Sequence, residues 1–179
     1  MKKLLLHSCC GPCSTHVIEV LKDNYDLTIF YSNSNIFPQK EYEKRLQEQK
    51  RYAKIMGIKV IEDEYDESKY LEFIKGLEGE KEGGLRCKAC FEFRLKRAAE
   101  YAKNNGYDLF STTLTVSPHK NSTVINEVGE KISKEIGVDF LAESFKKQDG
   151  YKKSVELSKK YNLYRQNYCG CRFSRWFEK

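Results

Sequence analysis

Short apolar runs alternate along the chain with longer stretches whose apolar positions recur at helical spacing. Lys3 to His7, Tyr25 to Tyr31 and Ile58 to Ile61 are the first three runs, and their length and flanks predict strands. Between the first two, Ser14 to Lys22 carries Val17, Ile18, Val20 and Leu21 and follows Pro12, whose fixed φ suits an opening helical turn. The highly charged stretch Pro38 to Met56 predicts a second helix, closed by Gly57 at the position after its last turn. Glu67 to Lys75 predicts a short helix before a loop over 76–84, and Cys87 to Asn104 a long one ended by Gly106. Tyr107 to Thr112 is the fourth strand, Asn121 to Ile136 a helix closed by Gly137, and Val138 to Leu141 the fifth strand. Tyr151 to Tyr161 is the last helix before a cysteine-containing tail.

Strands alternating with helices predict an α/β fold: a doubly wound parallel sheet of about five strands with helices on both faces. The expected organisation is one domain over 1–179, with 150–179 as a helical, cysteine-containing extension packed on the active edge. In such a sheet every crossover helix starts at the carboxyl edge of the strands, so strand-to-helix loops and helix N-termini gather there. Residues just after a strand are therefore the candidates for chemistry.

A length of 179 residues suffices for a core without disulfide staples, and 40% hydrophobic with 32% charged residues excludes a disordered chain. The apolar start Leu4-Leu5-Leu6 meets His7 and Ser8 too soon for a signal-peptide core, and no run reaches the roughly 18 apolar residues of a membrane span. A cytoplasmic protein with no membrane partner is expected. The net charge of +6 permits an anionic partner such as nucleic acid without requiring one.

Seven cysteines change the picture more than charge does, because an odd number of thiols in a reducing compartment reads as metal-binding or redox chemistry. Cys9-Cys10-Gly11-Pro12-Cys13 follows the first strand, and Cys87-Lys88-Ala89-Cys90 opens the long helix before the fourth, so both groups fall on the carboxyl edge. Cys87 and Cys90 share a helix face at an N-terminus, where free N–H groups favour thiolates. Four such thiolates suit tetrahedral zinc or a 4Fe-4S cluster, and spacing leaves the metal open. A closed zinc site on Cys10, Cys13, Cys87 and Cys90 gives adjacent Cys9 no task. Cys10 and Cys13 also match a thioredoxin-like thiol–disulfide pair, although Cys9 rather than a tryptophan precedes them. In the tail, the single glycine between Cys169 and Cys171 would make a disulfide strained and easily reduced; two further metal ligands or buried thiols fit the spacing equally.

His119 and Lys120 follow Ser117-Pro118 after the fourth strand, where they can protonate an oxygen, hold a phosphate or line a solvated loop. Phe145 to Lys153 mixes aromatic and basic residues, and Tyr164, Arg165, Tyr168, Arg172, Arg175 and Trp176 continue that character. Stacking faces and cations are what an unstacked RNA base and its phosphates require, which makes Lys120, Lys146, Lys147, Tyr151, Lys152, Arg165 and Arg172 candidate RNA contacts against the plain reading of a solvated charged face. The interleaved charges of Lys40 to Lys54 read as an exposed helix with no functional role. A zinc-stabilised RNA-binding module without catalysis accounts for charge and paired cysteines, but leaves Cys9, Cys169 and Cys171 idle.

Taken in order, His7-Ser8-Cys9-Cys10-Gly11-Pro12-Cys13, Arg86-Cys87-Lys88-Ala89-Cys90-Phe91, Thr112-Thr113-Leu114 with Ser117-Pro118, and Tyr161 through Cys171 resemble the QueH family of epoxyqueuosine reductases over nearly the whole chain. The resemblance implies reduction of the epoxide of epoxyqueuosine at the tRNA wobble position to give queuosine, without cobalamin and with an electron donor that it does not identify. It implies a Rossmann-like domain akin to nucleotide-binding tRNA-thiolation enzymes, although Cys9 to Cys13 stand where those enzymes carry a phosphate-cradling loop, so ATP use is not expected. It assigns a 4Fe-4S cluster to Cys9, Cys10, Cys87 and Cys90, and a redox-active disulfide to Cys169 and Cys171. It further implies a mononuclear iron beside the cluster, for which Cys13, an aspartate in some members, is the candidate ligand.

Overall fold

The computed structural model describes residues 1–174. Five strands, β1 (Lys2–His7), β2 (Tyr25–Tyr31), β3 (Lys59–Glu62), β4 (Leu109–Thr112) and β5 (Asp139–Phe140), form one sheet in the order β3-β2-β1-β4-β5, with every neighbouring pair parallel. Six helices connect and follow them: α1 (Gly11–Leu21), α2 (Gln39–Met56), α3 (Glu67–Phe73), α4 (Leu85–Asn104), α5 (Ser122–Ile136) and α6 (Gly150–Lys160). The expected doubly wound α/β architecture is therefore present.

Central strand β1 pairs with β2 on one side and β4 on the other, and its Leu4, Leu5 and Leu6 are each 0% exposed. A strand covered on both faces needs such a continuous apolar run instead of alternation. Alternate residues still separate: Leu5, Phe30 and Phe110 pack toward Leu95, Ala98 and Ala102 of α4, whereas Leu4, Leu6 and Ile29 pack toward Val17 and Ile18 of α1 and Tyr52 of α2. Each buried leucine contributes about 1.5–3 kcal/mol of transfer free energy, so Leu5→Ala would weaken both the sheet and its seat on α4.

Differences from the expected elements lie at their ends. α4 starts at Leu85 because Gly84 takes the N-cap, and β4 starts only at Leu109, since Tyr107 and Asp108 bond back to Ala102 and Lys3. After α6, residues 161–174 return across α2. Arg51 donates to the carbonyls of Tyr161 and Asn162 at 3.1 and 2.8 Å, Glu48 accepts from the Tyr164 N–H at 2.8 Å, and Glu41 accepts from the Tyr164 hydroxyl at 2.8 Å. Among the described residues no helix is long and apolar enough to cross a membrane.

Candidate active site

Strand order reverses between β1 and β4, the point where open α/β sheets receive ligands. At the end of β1, His7 is fully buried, with Nε2 3.1 Å from the Ser32 carbonyl and Nδ1 3.0 Å from Thr112 Oγ1. A carbonyl only accepts, so Nε2 carries the proton and Nδ1 accepts from the Thr112 hydroxyl, whose oxygen in turn accepts from the Leu114 N–H. Burial, reinforced by the charge of Arg94, lowers the His7 pKa to about 4 and keeps the ring neutral. His7 thus ties β1, β2 and β4 together immediately before the cysteines.

The turn from β1 into α1 is braced from α2: Ser8 Oγ lies 2.5 Å from Gln49 Oε1, and Gln49 Nε2 donates to Ser14 Oγ at 3.1 Å. This brace presents Cys9, Cys10 and Cys13, whose sulfurs all lie within 4.8 Å of one another. Cys9 and Cys10 sulfurs are 3.9 Å apart, Thr113 Oγ1 is 3.8 Å from Cys9, and Gln166 Nε2 donates to Cys10 Sγ at 3.0 Å. Hydrogen bonds from Cys10 and Cys13, aided by Lys120 and Arg94, hold the Cys9 thiol well below its usual pKa. Cys10 goes the other way: against the pull of Cys13, its contact with Cys9 and its burial push it up to about 12. Cys10 is 0% exposed, and thiol exchange with a partner needs an accessible sulfur at that position, so burial weighs against the thioredoxin-like reading of Cys10 and Cys13.

Cys87 and Cys90 fall outside that 4.8 Å trio. Cys87 packs against the apolar cluster that holds Cys9, Cys10 and Cys13, while Cys90 packs with Cys171, Tyr70 and Ile74. The thiolate-favouring effect expected of the α4 N-terminus is outweighed: burial raises Cys87 despite the Gly83 N–H at 3.2 Å from its sulfur, and raises Cys90 to about 11. Cys169 is half-buried, and all seven cysteines are free thiols.

Two cations serve both sulfur groups. Lys120 faces Cys169, Cys9 and Cys13, and the electrostatic pull of these sulfurs outweighs burial and raises the pKa of its ammonium. Arg94, on α4 one turn beyond Cys90 and 2% exposed, faces Cys90, Cys169 and Cys9. Neither forms an ion pair with a carboxylate among the described residues. Arg94 Nε and Nη2 have no hydrogen-bond partner among the described residues, an expensive state for a buried guanidinium. An all-sulfur donor set flanked by uncompensated cations fits an anionic, thiolate-held iron–sulfur group.

The tail pair is held by backbone. Arg45, 1% exposed on α2, donates from Nη1 to the Cys169 carbonyl at 2.9 Å and from Nη2 to the Tyr168 carbonyl at 3.1 Å, and pairs with Glu41 at 2.9 Å. The Phe37 N–H donates to the Gly170 carbonyl at 2.8 Å. The exposed, roleless α2 expected from its charges is thereby corrected: Arg45 and Gln49 are buried, one holding the tail and the other the cysteine turn.

The other candidates separate. His119 is exposed. Lys146 Nζ donates to the Lys120 carbonyl, while Lys147 and Lys152 project into solvent. Arg165 Nη2 lies 3.3 Å from the hydroxyl of Tyr151, an exposed ring. Arg172 makes a two-point pair with Glu67 at 2.7 and 2.9 Å and stacks over Phe37, so its charge is already engaged. Arg175 and Trp176 lie outside the described residues. Sequence alone assigned no role to His7 and Gln166, which lie inside the family motifs, nor to Arg94 and Arg45; the helical spacing of Arg94 from Cys87 and Cys90 is the signal that would have pointed to one of them.

The fold resembles that of a predicted subunit of tRNA methyltransferase from Methanocaldococcus jannaschii, with a TM-score of 0.57 at 15% identity, covering 87% of this chain and 74% of that one. Closer likenesses come from sequence. The chain is 44% identical to the epoxyqueuosine reductase QueH of Staphylococcus aureus, covering 96% of this chain and 75% of that protein. It is 41% identical to the Streptococcus pyogenes enzyme of that name (94% and 68% covered) and 37% identical to the Thermotoga maritima one (97% and 91%). A family model described as Epoxyqueuosine reductase QueH matches residues 4–176, and the chain accordingly belongs to the QueH family of epoxyqueuosine reductases, which are oxidoreductases.

Proposed function

We propose that this chain reduces the epoxide of epoxyqueuosine in the wobble position of tRNA to the alkene of queuosine, using a 4Fe-4S cluster held by Cys9, Cys10, Cys87 and Cys90. The observation that carries this reading is the trio of close sulfurs at the β1/β4 switch point, beside Arg94 and Lys120, neither of which has an acidic partner among the described residues. The reaction takes up two electrons and two protons and releases the epoxide oxygen as water. A cluster held by these four cysteines would supply electrons one at a time, and a mononuclear iron with Cys13 among its ligands would supply Lewis acidity.

The chain's own residues do the rest. Lys120 stabilises negative charge on the departing oxygen, and exposed His119 beside it passes protons in from solvent. Cys169 and Cys171, on the segment whose carbonyls Arg45 holds, would close into the redox-active disulfide that relays electrons from an external donor. Tyr151 and Arg165 offer a stacking face and a cation to the RNA, with Lys147 and Lys152 beside them for phosphates.

Anaerobic purification with iron, sulfide and zinc analysis, followed by mass spectrometry of epoxyqueuosine-containing tRNA, tests this. Four or more irons with matching sulfide, and conversion to queuosine, are expected; stoichiometric zinc without sulfide would overturn it. Cys169→Ser or Cys171→Ser is expected to keep the cluster and abolish multiple turnover, so sustained turnover by either variant would remove the relay.

A further inference from the structure

Arg94 and Arg45 are both buried arginines of the same molecule with opposite surroundings. Arg45 has Glu41 and two carbonyls. Arg94 has one hydrogen bond, from Nη1 to Asn33 Oδ1 at 3.4 Å, and its Nε and Nη2 have none among the described residues. Its place is set by helical spacing: Cys87, Cys90 and Arg94 stand at i, i+3 and i+7 of α4 and so on one face. Around it stand neutral His7 from β1, Cys9 from the turn, Asn33 after β2, Tyr70 of α3, Cys90, Lys120 and Cys169, with no carboxylate among them. Of these neighbours the sulfurs and the Tyr70 hydroxyl can carry negative charge, and burial holds Tyr70 protonated, which leaves the sulfurs to balance this guanidinium.

We propose that Arg94 is a positioning residue: its buried charge joins the two sulfur groups into one redox centre and raises the reduction potential of the iron–sulfur group held there. This rests on the cluster reading above. Adding an electron to a thiolate-held cluster adds negative charge, and a fixed cation in a dry pocket lowers the free energy of that reduced form. Asn33 aims the guanidinium; its amide also donates to the Ser8 carbonyl at 2.8 Å, so Arg94 and the cysteine turn share one support.

The test compares reconstituted wild-type chain with Arg94→Lys, Arg94→Gln and Asn33→Asp, by iron and sulfide content and by potentiometric titration with dithionite followed by absorbance and electron paramagnetic resonance. Arg94→Gln is expected to bind the cluster and disfavour its reduction at least tenfold, a shift of about 59 mV to more negative potential for one electron. Arg94→Lys, which keeps the charge, is expected to stay closer to wild type. Asn33→Asp neutralises the guanidinium without removing it and is expected to shift the potential the same way, even if Arg94→Gln fails to fold. An unchanged potential in folded Arg94→Gln and in Asn33→Asp would overturn the proposal, as would a lysine variant as displaced as the glutamine one. A wild-type chain that binds no iron and sulfide would instead sink the cluster reading itself.

Discussion

Arg45 Nη1 donates to the carbonyl oxygen of Cys169 at 2.9 Å, joining residues 124 positions apart in sequence. The same guanidinium donates to Tyr168 and pairs with Glu41, whose carboxylate also accepts from the Tyr164 hydroxyl. One buried cation on α2 therefore fixes where the tail sulfurs stand.

Replacing Arg45 by Met should free both carbonyls and leave Glu41 without its cation. Breaking a buried pair from one side costs about 3–5 kcal/mol, part of which Glu41 recovers through water. Urea denaturation should show that loss, and alkylation of Cys169 and Cys171 in the native chain should speed up relative to that of Cys10.

Gly170 has φ +135°, and a Cβ there would lie 3.0 Å from Arg45 Nη1 and 3.1 Å from Ile36 Cγ1. Gly170→Ala combines backbone strain of about 1–3 kcal/mol with displacement of the anchoring guanidinium. Turnover should fall while iron content holds; unchanged turnover would mean the spacing of the two tail sulfurs is not critical.

The cysteines divide into testable classes. Serine at Cys9, Cys10, Cys87 or Cys90 should remove the cluster's absorbance and most of the iron. Cys13→Ser should keep the cluster and lose only iron beyond the first four, as read by metal analysis. Loss of the entire cluster in Cys13→Ser would place this residue, the third member of the close sulfur trio, in the main ligand set.

Much of this was legible in the sequence, for identifiable reasons. Gly57 and Gly137 end α2 and α5 at φ +69° and +83°, where a side chain is unfavourable, so the residue type announces the helix end. The apolar runs gave β1 and β2 because a doubly covered strand cannot hide its composition. The cysteine motifs could be placed on one edge because strand-to-helix turns leave no other choice. The nearest sulfur partners were not readable: Cys13 on α1 joins Cys9 and Cys10 within 4.8 Å and Cys87 on α4 does not, a difference set by side-chain direction across two helices that share one edge. Nor were the buried arginines: Arg45 sits among alternating acids and bases that look solvated, and only the returning tail, more than a hundred residues later, covers it. Long-range burial of charge leaves no local periodic signal.

His7 supplies a pH dependence. Its pKa is near 6.5 in an unfolded chain and about 4 when buried, so below pH 6.5 the unfolded state binds the extra proton. Stability is thus fully retained above pH 6.5 and decreases as pH falls toward 4, by about 3 kcal/mol from this residue. Subtracting the urea-unfolding profile of His7→Gln from that of the metal-free wild type between pH 7 and 4 should isolate that slope; parallel profiles would show that His7 takes up its proton equally in the folded and unfolded chain, with no lowering by burial.

The hold of α2 on residues 161–174 also has a bearing on assembly. These residues follow every strand in the chain and reach back to the thiols, Gln166 donating to Cys10 and Cys171 packing with Cys90, so in a chain that folds in sequence order their docking on α2 would come last. The wall that carries Cys169 and Cys171 is the last to be hung. Until Arg45 catches it, the proposed iron–sulfur group would have an open way in, and the docking of a short strand of backbone would mark the end of the period in which the chain is most easily loaded.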